Sequence, residues 1–202
     1  MRYNTIFNNP HERTRVTYPY ITWGGVFLDW EIESIIQYCN NVGVEDGTTF
    51  VGKKPKIRKS KVKFHLPNEH TNWIFQRMNG VIQSINERWY GFDLNGYDAF
   101  QFTQYDGSKL GKYDWHADIG YWDNLPQEMI EPRKLSLSLL LNDDFEGGEF
   151  QFNVGTEAKP GSVNLKKGEI VAFPSWVLHR VTPVTKGIRN SLVIWVTGPK
   201  FR

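Results

Sequence analysis

A single cysteine, Cys39, stands among 202 residues. No intrachain disulfide is possible, and no metal cluster built on several thiolates. A reducing cytoplasm is the compartment to expect. Long hydrophobic runs are missing as well. No stretch approaches the ~20 apolar residues of a membrane-spanning helix, and the opening MRYNTIFNNPHERTRV lacks the apolar block of a secretory leader. No membrane partner is expected. Internal repeats, low-complexity tracts and Pro/Gly-rich linkers are absent, which points to one domain over residues 1–202. Neither sign of charge dominates: 24 Lys+Arg against 22 Asp+Glu leave +2, a balance that names no partner.

Aromatic residues are plentiful by contrast, at 15% with eight Trp, enough for aromatic-lined surfaces as well as a core. Positive charge is concentrated locally: Lys53, Lys54, Lys56, Arg58, Lys59, Lys61 and Lys63 fall within eleven positions. Such a stretch can grip an acidic protein segment or nucleic acid, or it can be a solvated loop.

The first half reads as helical. A helix is expected from about Trp30 to Asn40, capped by Asp29, with Glu31 and Glu33 in its first turn and Ile32, Ile35, Ile36 and Cys39 along one stripe. Residues 41–56, with three Gly and one Pro, read as a loop, and Lys61–Leu66 as a strand. Ile74, Met78, Val81, Ile85 and Trp89 predict a second helix from about Asn72 to Tyr90, ended by Gly91. From Tyr97 the period changes to two. Gln101, Thr103 and Tyr105 alternate with Phe100 and Phe102. Leu135, Leu137, Leu139 and Leu141 alternate with Ser136, Ser138 and Leu140. Short strands at 148–153, 169–173, 178–183 and 190–197 follow. The pattern predicts an α+β, mainly β fold: a double-stranded β-helix (jelly roll) core over about 96–200, with the helices of about 1–95 packed on one side.

His116-Ala117-Asp118 places a His and an Asp at i and i+2, which share a face of a strand. His179 follows sixty-three residues later and Arg189 ten beyond that. Two His and one carboxylate form a ligand set that leaves metal positions open and suits non-haem Fe(II). The Arg fork suits a carboxylate. Each residue also has a plainer reading: a polar turn for His116–Asp118, a core histidine for His179, a solvated strand end for Arg189.

Taken together, these residues resemble the iron- and 2-oxoglutarate-dependent dioxygenases, and are most similar to the prolyl 4-hydroxylase-like branch. The likeness runs from about Tyr97 to Thr197 and more loosely back to Arg58. It includes Tyr105-Asp106-Gly107 leading to Tyr113 and His116, the alternating strand that ends at Asn142 before Glu146-Gly147-Gly148-Glu149, and Gly168–Ser175 leading into His179. The resemblance implies that His116, Asp118 and His179 bind Fe(II). It implies that 2-oxoglutarate chelates the metal while its far carboxylate meets Arg189, helped by Tyr105 and Ser136, and that Tyr113 and Trp195 line the substrate side, with Trp115 and Trp122 as further aromatic candidates. Oxygen is the co-reactant and ascorbate an optional reductant. The implied reaction is hydroxylation of a C–H bond with release of succinate and carbon dioxide. Asp118 itself separates the chain from related halogenases, which lack this carboxylate. A prolyl residue in a peptide or protein is the first substrate choice. A nucleic-acid demethylase using the Lys53–Lys63 stretch, a small-molecule hydroxylase and a non-catalytic jelly-roll module are the alternatives. Asp143, Asp144, Glu146 and Glu149 read as a charged turn without a catalytic role.

Overall fold

Successive side chains of an extended strand point to opposite sides, so alternating sequences make two-faced sheets. The computed structural model describes residues 18–48, 56–119, 131–155 and 161–200 and turns that alternation into layers. Its helices are α1 (Asp29–Val42) and α2 (Asn72–Ile85). Its strands are β1 (Ile21–Trp23), β2 (Glu45–Asp46), β3 (Arg58–Lys59), β4 (Lys61–His65), β5 (Phe100–Asp106), β6 (Lys112–His116), β7 (Arg133–Leu140), β8 (Glu146–Gly147), β9 (Phe150–Asn153), β10 (Gly161–Val163), β11 (Ile170–Pro174), β12 (Leu178–Val181), β13 (Val184–Lys186) and β14 (Ile188–Thr197). A seven-stranded sheet runs β1-β11-β7-β14-β5-β4-β2 and a five-stranded sheet runs β10-β9-β12-β6-β3, while β8 pairs with β13. The strand pairs are antiparallel, as a mainly β jelly roll requires.

One face of the large sheet is apolar. Leu135, Leu137 and Leu139 of β7, Phe100 and Phe102 of β5, and Leu192 and Ile194 of β14 share a single buried cluster with Ile32 and Ile35 of α1 and Ile74 and Met78 of α2. The opposite face meets the small sheet, where Val171 and Phe173 of β11 join Phe150, Phe152 and Val181. The polar members of the alternation, including Gln101, Ser138, Arg189 and Ser191, therefore look into the space between the sheets. The Leu/Ser alternation of β7 separates core from site within one strand.

Several boundaries differ from expectation, each for a local reason. Helix α1 begins at Asp29, and its cap is served from within: the Leu28 N–H donates to Glu31 Oε2 at 2.8 Å. Asp29 instead pairs with Lys167 at 3.3 Å. Buried Glu31 also takes a hydrogen bond from Arg77 of α2, which ties the helices and, outweighing burial, holds the Glu31 carboxyl below its ordinary range. The last turn of the second helical segment, Asn86–Tyr90, is π-helical and ends at Gly91, whose φ of 63° is the left-handed value that favours glycine. That wider turn delivers Tyr90 to the core, where its hydroxyl donates to Ala172 O at 3.0 Å. The expected 41–56 loop contains the two-residue edge strand β2, paired with β4. Lys53 and Lys54 lie outside the described residues. No helix among the described residues is long and apolar enough to cross a membrane.

His65 of β4 carries a testable consequence. It is 4% exposed, its ring stacks on Phe100, and its Nε2 has no hydrogen-bond partner among the described residues. Burial, and then Lys63, push its pKa below the ordinary 6.5. The unfolded chain therefore takes up the proton first as pH falls, and stability present above pH ~6.5 is lost toward the folded value. His65→Phe should reduce the decline in Tm between pH 7 and pH 5 by a few degrees, since ~1 kcal/mol corresponds to about 2–4 °C in a domain of this size. Parallel Tm–pH curves for the two proteins would exclude this role.

Candidate metal centre

The site begins with strand register. In the β6–β12 pair, His116 lies directly opposite His179, and Tyr113 opposite Val181. Between these pairs two residues of β6, Asp114 and Trp115, oppose the single Arg180 of β12, so β6 carries an extra residue, a bulge of the kind that re-aims side chains. Tyr113 and His116 come to one face, with rings stacked at 3.4 Å. Trp115 turns away and lies under Arg180, whose Cζ is 4.5 Å from its ring centre. Strand β6 stops at His116, so Asp118 is not on a strand as expected. It is held by the turn between β11 and β12, its N–H donating to Ser175 O at 2.8 Å.

The three ligand candidates converge. His116 Nε2 is 3.8 Å from Asp118 Oδ1, and His179 Nε2 is 3.6 Å from Asp118 Oδ2. One ligand atom from each lies within 4.8 Å of the others, close enough for a single ion. His116 Nδ1 is 2.7 Å from Asp114 O and His179 Nδ1 is 2.9 Å from Val177 O. A carbonyl oxygen only accepts, so each Nδ1 carries a proton and each Nε2 is the nitrogen turned inward toward Asp118. Burial, then the neighbouring His179, push the His116 pKa down to about 3, which leaves the ring neutral. Burial alone would raise Asp118, but His179, His116, a hydrogen bond from Ser136 and the Arg133 charge outweigh it and keep the carboxyl below its ordinary range. Neutral imidazoles and an ionised carboxylate are the protonation states a divalent metal needs.

Arg189 supplies the second half of the site. It is 2% exposed, and its Nε and Nη1 have no hydrogen-bond partner among the described residues. The rings of Tyr105 and Phe145 each lie 5.9 Å from its Cζ. Burial draws its pKa down to about 10. A buried, unpaired guanidinium is costly and calls for an anionic guest. Arg189, Tyr105, Tyr113 and Trp195 line one cavity with His116, Asp118 and His179. Both the triad and the orphaned fork fit a metal-chelating dicarboxylate.

The other expected residues fall differently. Ser136 is fully buried, with its Oγ 2.9 Å from Ser175 Oγ and a bond to Asp118, so it braces a metal ligand; Ser138, two residues on, is the β7 hydroxyl that lines the cavity. Trp115 is not among the lining residues, and Trp122 lies outside those described. Arg58, Gln101 and Arg133 were missed. Arg58 was hidden among like charges, whereas Gln101 was available from its alternation with Tyr105. The Arg133 guanidinium covers the Trp195 ring at 4.3 Å.

Residues 100–197 match the model of the 2OG-Fe(II) oxygenase superfamily. The match covers just under half of the chain and makes this segment similar to that superfamily. A PKHD-type hydroxylase of Synechococcus sp. (strain CC9311) is 40% identical over 90 residues, covering 44% of this chain and 37% of its own. The chain thus spans little more than a third of the length of these curated relatives. Its fold extends the likeness. A Pseudomonas putida prolyl-4-hydroxylase superposes with a TM-score of 0.70 at 20% identity, covering 91% of this chain and 95% of that one. A prolyl hydroxylase from Trichoplax adhaerens, solved in complex with a hypoxia inducible factor oxygen degradation domain peptide fragment, gives 0.73 at 17% identity over 90% and 84%.

Proposed function

We propose that the protein is a 2-oxoglutarate-dependent dioxygenase that hydroxylates a C–H bond, with a prolyl residue of a peptide or protein as its substrate. The observation that carries this reading is a His/Asp/His triad that shares one cavity with a buried guanidinium whose Nε and Nη1 have no hydrogen-bond partner among the described residues. Bound iron and 2-oxoglutarate, with oxygen, supply decarboxylation of the oxo-acid to succinate and carbon dioxide and insertion of the second oxygen atom into a C–H bond. His116, Asp118 and His179 hold the metal on one side and leave the other for ligands. Arg189 receives the far carboxylate of the oxo-acid. Burial raises the Tyr105 pKa, so its hydroxyl stays protonated and serves as a donor beside Arg189. Tyr113, by its edge, and Trp195 line the cavity that the substrate would enter, which suits an apolar ring. A peptide bound to the Trichoplax relative supports the substrate class. The nucleic-acid alternative gains nothing from these relatives.

Anaerobic titration of the purified protein with Fe(II) and 2-oxoglutarate tests the cofactor assignment. A saturable visible charge-transfer band is expected, followed, on addition of oxygen and prolyl peptides, by equal amounts of succinate and peptide carrying one added oxygen atom. Folded protein that yields no band would overturn the oxygenase reading. A band without peptide hydroxylation, but with oxidation of free amino acids, would replace the substrate.

A further inference from the structure

We propose that Arg58 is a positioning residue: it closes one wall of the metal cavity and clamps Tyr113 against His116. The clamp's catalytic meaning rests on the oxygenase reading; the clamp itself does not. Its Cζ lies 4.6 Å from the centre of the Tyr113 ring, and that ring stacks at 3.4 Å on His116. Guanidinium, phenol and imidazole thus form three successive layers ending at a metal ligand. Strand β3 places Arg58 there by pairing it directly with Tyr113 of β6, and the Asp114 N–H donates to Ile57 O at 2.8 Å beside it. The edges of the same guanidinium are bonded. Nε donates to Ser60 Oγ at 2.9 Å, Nη1 to Thr48 O at 2.9 Å and Nη2 to Gln101 Oε1 at 3.4 Å. Gln101 in turn donates to Thr103 Oγ1 at 2.6 Å, so the cavity floor and its wall are joined. Gly47 leaves the necessary room, since a Cβ there would come within 2.9 Å of Arg58 Nε.

Only a planar fork stacks with its face while bonding with its edges; a Lys ammonium does not. With Nε, Nη1 and Nη2 each bonded to a neighbouring segment and its face on Tyr113, Arg58 acts as a strut rather than a receptor for an external anion. Arg189 of the same cavity, whose Nε and Nη1 have no partner among the described residues, is the contrast. A ring held at the metal ligand keeps His116 in place and water out of the site.

The test compares the full chain with its Arg58→Gln, Arg58→Lys and Tyr113→Leu variants. In metal-free protein, hydrogen exchange of the Asp114 amide and of residues 58–60 should quicken roughly tenfold in Arg58→Gln, the loss expected from contacts of this class, with the amides of β7 and β14 unchanged. Lys should not restore protection. With Fe(II) and 2-oxoglutarate, the charge-transfer band should shift in both Arg58→Gln and Tyr113→Leu, 2-oxoglutarate affinity should stay within about twofold, and succinate formed without peptide should rise. Unchanged Asp114 exchange and an unchanged band would overturn the clamp. So would faster exchange throughout the sheets, which would make Arg58 a general stabiliser. A wild-type protein with no band would sink the oxygenase reading, while the exchange result would still judge the clamp.

Discussion

Asp118→Ala is expected to abolish iron retention and to lower succinate formation by at least ~10³-fold, well beyond the 10–100-fold typical of residues that only orient a ligand. The reasoning starts from charge. The protein offers the metal two imidazoles and one carboxylate, so Asp118 is the only anion in the set. Removing it leaves two ring nitrogens and no charge compensation for a divalent ion in a buried site. Ser136→Ala gives an internal scale. Ser136 touches Asp118 and Ser175 and does not line the cavity, so its loss should weaken iron binding by only about 10–100-fold. Metal content after dialysis, with succinate release measured on the same samples, checks both. An Asp118→Ala protein that keeps one iron per chain would remove Asp118 from the ligand set. Circular dichroism of the metal-free proteins separates this from unfolding.

Much of this site was legible because strands write their two faces in alternation. Alternation alone separates Phe100 and Phe102 from Gln101, Thr103 and Tyr105, and the structure puts the first pair under the helices and lines the cavity with Gln101 and Tyr105. The same rule separates Leu135, Leu137 and Leu139 from the serines between them. It fails where the period is interrupted or the register is free. The β6 bulge brings Tyr113 and His116, three apart, to one side and sends Trp115 outward, and nothing in Tyr113–His116 announces an extra residue. Ser136 and Ser138 share a face, so spacing alone does not say which one reaches the cavity. Strand β1 has three residues, too few for a period to show. Arg58 sits among lysines of the same charge, and only the pairing of β3 with β6 tells it from them.

Arg189→Met should raise the dissociation constant for 2-oxoglutarate by about 10²–10⁴-fold while leaving iron binding nearly unchanged. Two charge-assisted hydrogen bonds at roughly 1.5–3 kcal/mol each set that scale. The same change should raise the Tm of the unliganded protein. The guanidinium is 2% exposed with Nε and Nη1 unpaired among the described residues, and an apolar side chain of similar length spares that burial. Gly148 is shaped around the existing stem: its φ is 63°, and a Cβ there would approach Arg189 Cδ to 3.0 Å. The sign with pH follows from the pKa of about 10, below the ordinary 12.5. The unfolded chain holds the proton more tightly, so the destabilisation is complete below pH ~10 and is relieved only as pH rises through that value. The Tm difference between the two proteins should therefore be flat from pH 6 to pH 9. Adding Mn(II) and 2-oxoglutarate should reverse the order, because a ligand stabilises in proportion to its affinity for the folded state and only the wild type retains that affinity. Equal 2-oxoglutarate affinity in the two proteins would release Arg189 from its role. An unchanged ligand-free Tm would mean that the guanidinium is already satisfied. The two measurements together decide whether this buried cation is kept for folding or for its guest.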